Sequence, residues 1–208
     1  MNAPTLEHLD EETIALVRLA AAIAGADDDT VDGHLRSAVA HVPPQWVEEL
    51  LLQSHLFCGF PRALNAARQW RELSPASAAN DETDDPSARD GWRLRGERVC
   101  ALVYGERYER LRTSVRALHP ALDDAMVVEG YGRILGRPGL DLPRRELCIV
   151  AACAITGQDR QLNSHLHGAL NVGVTPHALT AALEALTIMV GVGRAAQLRR
   201  LRARVLGK

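Results

Sequence analysis

Aromatic residues are scarce in this 208-residue chain, with two Phe, three Trp and three Tyr making up 4% of it. Ala, Leu and Val are therefore left to build the core. Such a bias suits close-packed helices better than sheets. An excess of charge of either sign is also missing. Lys and Arg number 24 against 26 Asp and Glu, a formal charge of −2. That balance makes no electrostatic case for nucleic acid or an anionic membrane as partner. No apolar run approaches the roughly 20 residues a bilayer span requires. The opening MNAPTLEHLDEE is acidic and has no apolar signal-peptide core, so a cytoplasmic location is expected. The four cysteines, Cys58, Cys100, Cys148 and Cys153, follow no framework spacing, so structural disulfides are not expected. No segment alternates with period two for long enough to argue a strand. The expected fold class is all-α.

What is present centres on residues 137–170, which read as two helices. Asp141 can cap the first, with Pro143 just inside its start, where a missing N–H costs nothing. From Leu147 to Ile155 every side chain is apolar, small or a thiol, the mark of a buried helix. Glu146 lies on the same stripe as Ile149, Val150 and Cys153, where a carboxylate is costly without a partner. In the second helix Gln158, Gln161 and His165 fall at i, i+3 and i+7 and form one polar stripe. Beside it runs an apolar stripe of Leu162, Leu166, Ala169 and Leu170. A hairpin of the two helices would bring Glu146 to His165.

The rest of the chain is punctuated clearly. Helices are expected over 9–24, capped by Asp10, through His34 to His41, over QWVEELLLQSHLF and, after Gly59 and Pro61, over RALNAARQWREL. Residues 74–90 lose all apolar period and read as a solvated linker. One or two amphipathic helices follow over 91–117, with Val99, Leu102, Val103, Tyr108, Leu111 and Val115 as the inward set. Another helix covers 121–136. After the central pair, Gly173 can end a helix and Thr175-Pro176 can start one. Gly191 and Gly193 then precede a basic terminal helix.

The chain also repeats itself. Residues 9–70 lie over 140–202 at an offset of 131, with Leu9-Asp10 on Leu140-Asp141 and His34 on His165. One residue more of offset sets Gly59, Arg62 and Ala63 on Gly191, Arg194 and Ala195. The copies differ where chemistry would sit: Ala15 stands opposite Glu146 and Val17 opposite Cys148. A structural first copy and a functional second copy are expected. Two docked copies imitate a two-fold dimer, so further assembly of the doubled chain is expected too.

The run YGRILGRPGLDLPRRELCIVAAC, followed by HLHGALNVGVT and MVGVGRAA, resembles the carboxymuconolactone decarboxylase family. GERVCALVYGERYERLR is similar to the N-terminal segment of the γ-carboxymuconolactone decarboxylases. The resemblance covers about 91–205, with 9–72 as a more diverged unit. The expected division is therefore an N-terminal unit at 5–72, a linker at 73–90 and a C-terminal unit at 91–208.

The resemblance implies an all-α fold and one of two chemistries. One branch decarboxylates a muconolactone without metal or organic cofactor. The alkylhydroperoxidase D-like branch is a thiol peroxidase or disulfide reductase that uses a glutamate, a Cys-x-x-Cys pair and a histidine. Glu146 and His165 match that glutamate and histidine, but Gln158 and Gln161 occupy the cysteine positions. The decarboxylases read WGxVWxRPGLD, and here Tyr131 and Leu135 stand at the tryptophan positions. Single-unit members form hexameric rings, so a doubled chain is expected as a trimer.

The leading expectation is a cofactor-free lyase acting on a small carboxylated lactone or related acid. His165 is its general acid/base, Glu146 orients the imidazole, and Gln158, Gln161 and Tyr131 line the site. Arg137 can bind a substrate carboxylate in bidentate fashion, or simply fix its loop. Two rivals remain open: a thiol-dependent oxidoreductase using Cys148 or Cys153, and a non-catalytic assembly protein. Cys148 and Cys153 are five residues apart, about 140° around a helix, so they cannot bridge within it. His165 and His167 face opposite sides of their helix, and no metal site is expected. His34 and His41 read as structural, and the arginines at 199, 200, 202 and 204 as a solvated helix end or subunit contact.

Overall fold

The computed structural model describes residues 5–74 and 88–207. The helices in chain order are α1 (Glu11–Gly25), α2 (Asp28–His41), α3 (Pro44–Leu73), α4 (Ala88–Tyr104), α5 (Tyr108–Leu118), α6 (Pro120–Asp124), α7 (Leu142–Thr156), α8 (Asp159–Asn171), α9 (Pro176–Leu186) and α10 (Val192–Val205). A π-helix covers Ala125–Leu135, and short 3₁₀ turns cover Gly105–Arg107 and Thr187–Met189. Among the described residues the only β pairing is one bridge between Leu6 and Val174. The expected all-α class is what the chain adopts.

Contacts group the helices differently from the expected division at 73–90. Met1–Ala76 and Gly139–Lys208 form one compact unit, and Ser77–Pro138 forms another. The reason lies in α1 and α7, the most buried helices of the two copies. Each carries more apolar surface than its own copy covers, so each uses the other. Leu16, Val17, Leu19 and Ile23 on α1, and Leu147 through Val150 on α7, are all at most 1% exposed. Each large side chain so buried contributes about 1.5–3 kcal/mol.

The two helices run parallel. At one end Arg144 Nε donates to Thr13 Oγ1 at 2.8 Å and the same guanidinium pairs with Asp10 at 3.0 Å. At the other end a Cβ on Gly25 would come 2.1 Å from Ile155 Cγ2. The matching ends of α1 and α7 thus meet at close to the repeat offset, the contact pattern of a two-fold axis within one chain.

Local devices repeat with the same offset. Asp10 accepts from Thr13 N at 2.8 Å to cap α1, and Asp141 accepts from Arg144 N at 2.9 Å to cap α7. Arg62 Nε donates to Ile23 O, and Arg194 Nε to Ala154 O, so an arginine closes the carbonyl end of both helices. Gly173 takes the left-handed backbone (φ 103) just past α8, and Thr175 caps α9 through Ala178 N. The two expected helices around Gly59 merge into α3 across a kink, where Gly59 adopts φ 79 two residues before Pro61.

In the other unit, α4 meets the π-helix through paired glycines. A Cβ on Gly96 would lie 1.9 Å from Val127 O, and one on Gly132 would lie 2.2 Å from Trp92 O. Asp123 is buried and receives Arg112 at 2.9 Å and Arg116 at 2.5 Å. Val99 and Val103 are buried as expected. Leu102 is not: it is 55% exposed, because α4 turns its 99/103 face inward and leaves 102 about a quarter-turn outside. The residues expected as a linker at 74–90 lie mostly outside the described residues, and α4 already begins at Ala88.

Candidate functional site

The start of α7 is fixed by a buried ion pair that the sequence reading did not find. Arg145 is fully buried and pairs with Glu49 at 2.8 Å. Its remaining donors reach Gln53 Oε1 at 3.1 Å and Leu140 O at 3.0 Å. Both Glu49 and Gln53 come from α3, in the other copy. The RPGLD turn is cut to fit: a Cβ on Gly139 would lie 2.6 Å from the Glu49 carboxylate. Sequence gave only a faint signal for this cluster, since Glu49 sits in an apolar stretch of α3 and Arg145 beside Glu146 in α7.

With α7 so anchored, the next residue points at α8. Glu146 Oε2 lies 2.8 Å from His165 Nδ1. The carboxylate is fully buried and His165 is 5% exposed. An ionised carboxylate at that distance places the ring proton on Nδ1 and orients the imidazole. Glu146 Oε1 is buried with no hydrogen-bond partner. An unpaired buried acceptor is rare and costly, and it calls for an explanation. Phe57 of α3 stands edge-on to His165, with ring centroids 5.9 Å apart, so the first copy supplies a wall of the second copy's site.

Gln161 is exposed one turn before His165 on the same face of α8. Gln158 is exposed at the helix start and makes no capping bond. Tyr131 and Arg137 belong to the other compact unit. There Tyr131 is buried on the π-helix and packs edge-on to Tyr104 at 6.0 Å. Arg137 is half-buried in the turn after it, its backbone N–H donating to Ile134 O.

The thiols are poorly suited to nucleophilic work. Burial pushes the Cys148 thiol up to about 12. Burial, with the Glu146 charge added, pushes Cys153 up to about 12 as well. A thiol so raised is almost wholly protonated near neutral pH. Among the described residues no three His, Cys, Asp or Glu side chains cluster as a metal site. No helix among them is long and apolar enough to cross a membrane.

Comparison with known proteins agrees with the doubled architecture. "Peroxisomal protein 2" of Schizosaccharomyces pombe is 26% identical over 178 residues, covering 84% of each chain. The carboxymuconolactone decarboxylase family matches in two segments, residues 3–72 and 120–202, which hold the two copies with their matching caps and arginines. The chain belongs to the carboxymuconolactone decarboxylase family, as a member carrying the unit twice.

Proposed function

We propose that the chain is a cofactor-free lyase in which Glu146 and His165 are an acid/base pair acting on a small carboxylated lactone or related acid. One observation carries the reading: a buried carboxylate holds the imidazole at 2.8 Å through one oxygen and keeps the other unpaired. In decarboxylation the C–C bond to the carboxylate breaks, CO₂ leaves, and the electron pair remains as an enolate. His165, protonated and held by Glu146, donates its Nε2 proton to the carbon that keeps the pair. Glu146 stabilises the imidazolium, and solvent restores the proton. Glu146 Oε1 is left to accept from a substrate hydroxyl or a water. Gln158 and Gln161 are assigned to the rim.

The thiol-dependent alternative is disfavoured by Gln158 and Gln161 in the family's cysteine positions and by the raised thiols of Cys148 and Cys153. A cytoplasmic location and a trimer of doubled chains complete the proposal. The test is turnover of 4-carboxymuconolactone by wild type and by His165→Ala, followed by the substrate's absorbance. Turnover that disappears in the variant supports the reading. Wild-type protein that leaves the lactone and related acids untouched defeats it.

A further inference from the structure

At the place in the first copy that matches Glu146 and His165 lies a cavity of about 590 Å³ lined by Ala15, Arg18, Thr30, Gly33, His34 and Ser37. At the offset of 131 these positions correspond to Glu146, Ile149, Gln161, Ser164, His165 and Gly168. The first copy thus has alanine where the second has the carboxylate, and a cation on the same face. We propose that this cavity binds a small monocarboxylate, with the Arg18 guanidinium as its anchor.

Three observations lead there. First, Arg18 has no ion pair among the described residues, and its Nε is buried with no hydrogen-bond partner. A guanidinium without an ion pair is an incomplete recognition element, because the fork suits a carboxylate. Second, Gly33 lies in the middle of α2, where glycine destabilises a helix relative to alanine. A Cβ there would meet nothing within 4 Å. Packing gives no reason for the glycine, and the space it leaves is cavity. Third, the wall that closes the second site is absent here. Phe57 stands against His165, whereas the cavity at His34 is lined by α1 and α2 alone.

Charge selects a singly charged ligand. Arg18 is the one permanent cation in the lining. Burial, and then the Arg18 charge, hold the His34 imidazole below its ordinary value, so it is neutral near pH 7. Glu11 adds a carboxylate at the exposed edge and opposes a dianion, and His41 closes the far side. Thr30 and Ser37 offer hydroxyls for a second oxygen.

The proposal does not rest on the lyase reading. The test follows the His34 ring resonances by NMR in the full-length chain while sodium benzoate is added, with inorganic phosphate as the comparison anion. A saturable His34 shift with benzoate is expected. Arg18→Met should weaken it about tenfold or more, the value of a charged hydrogen-bonded pair. Gly33→Leu should abolish it while the melting temperature holds or rises, since leucine fills open space and favours the helix. His165→Ala, which ends turnover if the lyase reading holds, should leave benzoate binding unchanged. No saturable shift in the wild type overturns the proposal. So does a shift that survives Arg18→Met, or phosphate binding as tight as benzoate.

Discussion

The two copies of the helical unit share caps, arginine locks and a histidine, yet only the second sets a buried carboxylate against that histidine. It buries Glu146 against His165 and pairs Arg145 with Glu49 of the first copy, whose Phe57 ring stands edge-on to the imidazole. The first copy has Ala15 and Ile14 at the places of Glu146 and Arg145 and leaves His34 beside an open cavity with Arg18. The backbone is therefore kept by elements that both copies retain, and the chemistry by residues that only one has. A duplicated unit can lose its carboxylate without losing its fold, because that carboxylate does not hold the helices together.

The strongest way to break this comparison is to remove the pair. Glu146→Gln and His165→Ala should each lower turnover by about 10²–10⁴-fold, the usual worth of general acid/base catalysis. Their melting temperatures should fall much less than an unfolding variant's. Ala15→Glu sharpens the same contrast by restoring the missing carboxylate opposite His34. It should pair with Arg18 and abolish benzoate binding without creating a second active site, since no ring closes over His34. A doubled turnover rate in Ala15→Glu would show the copies to be functionally interchangeable and the contrast to be superficial.

Next in size is the ion pair that anchors α7. Truncating one partner of a buried pair leaves the other charge uncompensated, at a cost of about 3–5 kcal/mol. Glu49→Ala should therefore destabilise the chain by that order in denaturant unfolding. Ala181 and Ile14 stand at the counterpart positions of Glu49 and Arg145, one residue of offset apart, so the first copy holds its α1 without such a pair. The double variant Glu49→Ala, Arg145→Ile should recover much of the loss. A double variant as unstable as the single one would mean that the guanidinium's contacts to Leu140 O and Gln53 matter more than the charge pair.

Much of this was legible in the sequence. Asp10, Asp141 and Thr175 announced helix starts and the structure puts each in a cap. The repeat showed when the chain was laid over itself at an offset of 131, and the Glu146–His165 contact followed from helical spacing. What stayed hidden was long-range and polar. Nothing local tells Glu49 that its partner is 96 residues away. The division at 73–90 looked like a domain boundary because composition changes there. Yet burial joins α1 to α7 across it, since their apolar faces pack on each other. Leu102 was misjudged for a related reason: one amphipathic helix offers two apolar edges, and only the packing partner selects between them.

Smaller effects should be equal in the two copies. Arg62 donates to Ile23 O and Ala26 O at the end of α1, and Arg194 donates to Ala154 O at the end of α7. Charge-assisted hydrogen bonds of this kind are worth about 1.5–3 kcal/mol. Arg62→Ala and Arg194→Ala should each cost that order in thermal unfolding, and within error the same. An Arg194 variant far more harmful than the Arg62 variant would assign the extra loss to its second bond, to Asp159 at 2.5 Å.

The smallest difference is at the helix starts, and pH separates it. Burial pushes the Asp10 carboxyl up. The hydrogen bonds from Thr13, side chain and backbone, together with Arg144, outweigh that and hold it below its ordinary 3.8. A carboxylate lowered on folding contributes stability that is complete above its unfolded value and disappears as pH falls through the folded one. Asp10→Ala should cost about 1 kcal/mol near neutral pH, as the loss of an N-cap does. The gap between variant and wild type should then narrow steadily below about pH 4, where the unfolded carboxyl takes up its proton first. Unfolding curves of the two proteins from about neutral pH down to about pH 3 decide it. A gap that stays constant into acid would mean that Asp10 acts through packing at Arg144, and that the first copy's cap is geometric where it now reads as electrostatic.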